Sequence, residues 1–123
     1  MTGLQIDLAD DRGAFKPGES LDGRISWSVA GATSAEVRLF WYTRGKGTED
    51  VGLVDTMVVP DPQATDQRPF RFALPDAPYS FSGKLISIIW AIELIVEPGP
   101  TVERCDIVMS PGGREVVVAH ASV

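Results

Sequence analysis

The sequence predicts an all-β protein, an antiparallel β-sandwich of about seven or eight strands with little or no helix. Three observations lead there. Apolar residues recur at every second position in segment after segment, proline and glycine clusters separate those segments, and nowhere does a 3.6-residue period emerge.

From the N-terminus, Leu4–Leu8 is the first short candidate strand. Lys16-Pro17-Gly18-Glu19 then has turn chemistry, with proline at the second position and glycine at the third. In LDGRISWSV, Leu21, Gly23, Ile25, Trp27 and Val29 share one face while Asp22, Arg24, Ser26 and Ser28 share the other. That is the pattern of a half-buried antiparallel strand. AEVRLFWYT sets Val37, Leu39 and Trp41 against Arg38, Phe40 and Tyr42. Val51–Val59, Phe70–Leu74, Thr101–Met109 and Glu115–Ala119 complete the short candidates. Pro60–Arg68 is the least regular piece and reads as a surface loop, and Ser110-Pro111-Gly112-Gly113 suits a hairpin turn.

The run LISIIWAIELIV, Leu85 to Val96, is the most apolar stretch. A membrane-spanning helix needs about 20 apolar residues, so this run is too short, and Glu93 sits inside it. Its β-branched residues favour a pleated surface over a helix. Gly83 before it and Pro98-Gly99-Pro100 after it close both ends. As a strand it places Ile86, Ile88, Trp90, Ile92, Leu94 and Val96 on one wholly apolar face. It is the expected central strand of the core.

The chain has 123 residues, which suits a single domain over 1–123. A net charge of -6 argues against nucleic-acid and anionic-membrane surfaces, both of which reward positive charge. Cys105 is the one cysteine, so no intrachain disulfide can form. The first residues, MTGLQIDLADD, lack the basic start and long apolar region of a secretory leader. A reduced, cytoplasmic setting is the expectation.

Two blocks carry a family resemblance. The first is Phe15-Lys16-Pro17-Gly18-Glu19-Ser20-Leu21-Asp22-Gly23. The second runs from Phe70 through Leu74-Pro75, Pro78-Tyr79-Ser80-Phe81-Ser82-Gly83 and on to Trp90 in the long strand. In this order the two resemble the arrestin-type sandwich, an immunoglobulin-like β-sandwich, with Trp90 standing where that family usually has tyrosine. Each motif residue has a structural reading. Gly18 permits positive φ at its turn, Gly23 lets a ring or strand approach closely, and Pro75 and Pro78 hold the connection extended. Phe81 then tucks over the core edge.

The resemblance implies protein–protein scaffolding without catalysis, the theme of arrestins and of their sporulation-control and retromer relatives. Two departures limit it. Such proteins usually have two sandwiches, where this chain has room for one. Animal arrestins sense receptor phosphates with paired lysines on the first strand, whereas Leu4–Asp11 is acidic here. Phosphate sensing is therefore not expected.

Candidate chemistry is sparse. His120 is the one histidine, three residues from the C-terminus, and a general-base role would need a buried partner to orient it there. Cys105 reads as a packed thiol, and one His with one Cys cannot build a transition-metal site. Neither a phosphate-cradling glycine loop nor a serine elbow is present. No cofactor and no enzymatic activity are expected. Asp7, Asp10 and Asp11 together with Asp55, Asp61 and Asp66 offer oxygen ligands, so the alternative function is a calcium- or carbohydrate-binding sandwich using its end loops. The candidate protein-binding residues are Arg38, Phe40 and Tyr42, where rings and an arginine point away from the core face. Their partner would be another protein or a second copy of the chain, unless a loop such as Pro60–Arg68 covers them.

Overall fold

A computed structural model of the chain describes residues 3–45, 49–83, 86–112 and, for the backbone alone, 116–117. Ten strands follow in order: β1 (Leu4–Leu8), β2 (Ala14–Phe15), β3 (Ser20–Ser28), β4 (Ser34–Gly45) and β5 (Val51–Val58), then β6 (Thr65–Ala73), β7 (Phe81–Ser82), β8 (Ile86–Glu97), β9 (Thr101–Met109) and β10 (Val116–Val117). One 3-10 turn, Ala9–Asp11, joins β1 to β2. The smaller sheet is ordered β1-β3-β6. The larger is ordered β10-β7-β8-β4-β5, with β9 on the far side of β8 and β2 on β9.

The long pairings are all antiparallel. Two short pairings depart from that expectation, since β2 runs parallel to β9 and β10 parallel to β7, while β7 is antiparallel to β8. Such short segments clip a sheet edge and need no hairpin to set their direction. The expected loop over Pro60–Arg68 needs correcting as well, because β6 begins at Thr65. Charged Asp66 and Arg68 hide the strand in the sequence, but they neutralise each other through a 2.9 Å ion pair. Pro69 is tolerated because β6 is an edge strand, with one side free of ladder bonds.

The period-two faces become the core. Leu21, Ile25 and Trp27 of β3 and Phe70 and Phe72 of β6 meet Val37 and Leu39 of β4 across the sandwich. Trp90, Ile92, Leu94 and Val96 of β8 complete it, each with no exposed surface. Ile86 and Ile88, on the same face, are only half-buried because they lie toward the end of the sandwich.

The two motif blocks interlock at one end. Gly18 takes φ 81°, which closes a turn in which Glu19 N–H donates to Lys16 O at 3.1 Å. The Glu19 carboxylate accepts from Lys16 N–H and from Arg12 Nη2 at 2.8 Å. Leu74 N–H donates to Glu19 O at 2.9 Å, joining the first block to the second. Ser80 is buried and bonds Met109 twice, through its own N–H to Met109 O at 2.8 Å and by accepting Met109 N–H at Oγ at 2.9 Å. The Trp90 indole N–H donates to Pro78 O at 2.7 Å. Gly23 lies against the Phe70 ring, and a Cβ there would sit 2.6 Å from ring carbon Cζ and 2.5 Å from Asp7 O.

Gly23→Ala should therefore lose about 1–3 kcal/mol in denaturant unfolding, since the carbonyl cannot move aside. The Arg68 hydrogen bond holds the Asp66 carboxyl below its ordinary range, and Arg12 and Arg71 do the same for Glu19 and Asp22. Groups depressed on folding stabilise the native state above the unfolded carboxyl pKa of about 4 and lose that contribution as pH falls. Thermal melts should be flat near neutrality and drop below about pH 4, with Asp66→Asn showing a shallower drop.

Candidate functional site

Arg38, Phe40 and Tyr42 lie on the outer face of the larger sheet. The strand registers align four cross-strand rows there. Val58, Glu36, Ile95 and Val102 form the first, and Thr56, Arg38, Glu93 and Arg104 the second. Leu53, Phe40, Ala91 and Asp106 form the third, and Val51, Tyr42 and Ile89 the last.

The centre of this face is closed over. Phe40 is only 6% exposed yet stands outside the core cluster. Its cover is not the Pro60–Arg68 segment. The Arg104 guanidinium of β9 sits 5.3 Å from the Phe40 ring centre and 5.0 Å from that of Tyr42, within cation–π range. The two rings are 5.9 Å apart. Tyr42 Oη donates to Asp106 at 3.3 Å and accepts from Arg44 Nη2 at 3.0 Å. Arg104 also pairs with Glu93 at 3.1 Å. Burial works against its charge, but the bonds to Glu93 and Tyr42 outweigh burial and hold it above the ordinary arginine value. Arg38 pairs with Glu36 at 3.0 Å, which likewise secures its charge. A shallow cavity of ≈ 280 Å³ remains between Tyr42, Arg44, Val51 and Arg104.

Around this fixed centre the face is apolar and open. Val51 is 68% exposed, Leu53 60%, Val58 70% and Val102 41%. Sequence reasoning put Arg38, Phe40 and Tyr42 on this face but missed Glu93, Arg104 and Asp106. Alternation along β9 does set Arg104 and Asp106 apart from Ile107 and Met109. Which strand they lie beside is a matter of register, which no local pattern carries.

The other candidates are dispersed. Asp7 accepts from Gln5, Asp55 caps Thr56 N–H, and Asp66 is held by Arg68. Among the described residues no group of three His, Cys, Asp or Glu is placed to hold a metal ion. Cys105 is half-buried, and burial, followed by Asp106 and Glu103, pushes its thiol up. His120 lies outside the described residues. Phe15, Gly23, Leu74, Ser80 and Trp90 are in or against the core, and Pro17, Gly18, Glu19, Pro75, Pro78, Phe81 and Gly83 shape the turns and connections beside it. No helix among the described residues is long and apolar enough to cross a membrane.

With Phe40 covered, Phe40→Ala should cost about 2–4 kcal/mol of stability. Tyr42→Phe should cost no more than about 1 kcal/mol, because its hydroxyl bonds are exposed to solvent. Chemical denaturation of both variants checks the difference.

No protein-family model matches the chain, and no curated protein matches it. Solved structures do. The sporulation control protein Spo0M from Bacillus subtilis superposes with a TM-score of 0.64 at 18% identity, over 89% of this chain and 49% of that one. The chain thus spans about half the length of Spo0M. A β-glucosidase from Listeria innocua in complex with gluconolactone reaches a TM-score of 0.45 at 14% identity, over 94% of this chain but 16% of that one, too distant to carry an argument. The chain has an all-β sandwich fold of the Spo0M type, the arrestin-like fold.

Proposed function

We propose that this protein is a non-catalytic, arrestin-like regulatory module that works in the cytoplasm by binding another protein. The observation carrying this reading is the outer face of the larger sheet. Its exposed Val51, Leu53, Val58 and Val102 surround a centre of rings and ion pairs that neighbouring strands hold in place. Aromatic residues and arginine are enriched at protein interfaces, and both stand on this face beside exposed apolar side chains. Phe40, Tyr42 and Arg104 fix the shape of the surface, and the valines and Leu53 supply what a partner would remove from water. The name of Spo0M, a sporulation control protein, is in keeping with a regulatory role.

The test compares capture of cellular proteins by the immobilised wild-type chain with capture by Val102→Lys, a face position on β9, across the larger sheet from β5. Substitution of an exposed residue should move stability by no more than about 0.5 kcal/mol. Loss of a specific bound protein by this variant, with its melting temperature kept, is the expected result. Equal capture by both proteins counts against the face. A calcium-dependent rise in melting temperature would favour the end-loop alternative instead.

A further inference from the structure

We infer that β5 is a self-recognition edge, pairing antiparallel with β5 of a second copy so that the larger sheets join into one. This goes beyond the reading above, since a chain can bind a foreign protein and never bind itself.

Among the described residues β5 pairs with β4 alone and stands at the edge of the larger sheet. Its register slips by one between Leu39, which faces Asp55, and Phe40, which faces Leu53, so Val54 is the extra residue of a β-bulge. Backbone groups of an antiparallel strand alternate between its two sides. Thr43 N–H donates to Asp50 O and Val59 N–H donates to Ala35 O, so Asp50 and Val59 face β4. Counting inward from both ends, Val51 and Leu53 face away before the bulge, and Thr56 and Val58 face away after it. Thr56 N–H indeed donates to the Asp55 carboxylate at 2.8 Å, off the ladder.

Those four residues are also the ones whose side chains share the outer face, opposite Tyr42, Phe40, Arg38 and Glu36. The bulge therefore makes β5 symmetric about the point between Val54 and Asp55. Related by a two-fold axis there, Val51 of one copy meets Val58 of the other, and Leu53 meets Thr56. Each meeting joins two outward-facing backbones and two outer-face side chains. On the core side Gly52 meets Met57. In an unbulged strand these pairs would fall on opposite faces.

Charge selects the same occupant and register. Asp55 is the one charge in β5, and this pairing sets it against Val54 rather than against its own copy. A slip of one residue places the two carboxylates face to face, which is unfavourable. Each chain carries a net charge of -6, so copies repel at a distance and approach best along this apolar edge. The contact covers far fewer than the about 20–30 residues a side of a standard interface, so the dimer is weak and reversible.

Sedimentation of the whole chain from about 10 µM to about 1 mM should show a monomer–dimer equilibrium. Dimer should increase as salt rises from about 0.05 to about 0.5 M, because screening weakens the repulsion. Leu53→Lys should lower association at least about tenfold while melting as the wild type does. In a Cys105→Ser background, a mixture of Val51→Cys and Val58→Cys chains should form a disulfide-linked dimer under mild oxidation, and neither chain alone should. A strict monomer over this range, association that survives Leu53→Lys, or cross-linking of either cysteine chain with itself would each overturn the pairing. A strict monomer that still captures a protein lost on Val102→Lys would overturn this inference and leave the proposed function standing.

Discussion

Everything in this sandwich is arranged around one buried strand that must satisfy a polar group. β8 hides Trp90, Ile92, Leu94 and Val96 completely, and the Trp90 ring brings an indole N–H into that interior. Left unpaired it would cost about 1–3 kcal/mol. Pro78 O accepts it, so the segment ahead of β8 has to cross the end of the core at that point. Ser80, two residues on, then ties the crossing to Met109 of β9. The Pro-Tyr-Ser-Phe block is thus the path by which the chain reaches β8 with the Trp90 indole donor satisfied.

The two faces of the larger sheet are held by different physics. The inner face is close-packed aliphatic and aromatic surface, with the hydrophobic effect as its source of stability. The outer face is organised by side chains that reach across strands. Arg104 from β9 lies over two rings of β4, while Glu93 of β8 lies between Arg38 and Arg104 in the same row. Exposed ion pairs contribute only about 0–1 kcal/mol each. Their consequence is geometric: they pin the centre of the face and leave the apolar residues at its margins unoccupied.

β5 shows how one inserted residue changes what a strand presents. Bulges and charges commonly protect sheet edges from stray pairing. Here the bulge at Val54 and the charge at Asp55 occupy the middle of the edge, while Val51, Leu53 and Val58 stay exposed on either side. A strand of strict alternation would offer its outer face in one parity. This one offers two halves of opposite parity, and that property exists only in the pairing with β4.

Much of the fold is legible in local pattern. Period-two alternation marks β3, β4 and β8 and names their core faces, because a pleated strand burying one side has few other ways to be written. The turn at Pro17-Gly18 and the crossing at Pro78–Ser80 are legible through backbone chemistry. The start of β6 was hidden, since Asp66 and Arg68 look like loop residues until the ion pair between them is seen. The candidate face divides the same way. The sequence alone determined that Arg38, Phe40 and Tyr42 share a side of one strand. Only the tertiary structure decided that Phe40 is covered, that Arg104 covers it and that β5 carries its bulge beside them, because cross-strand register is a long-range property that no single segment encodes.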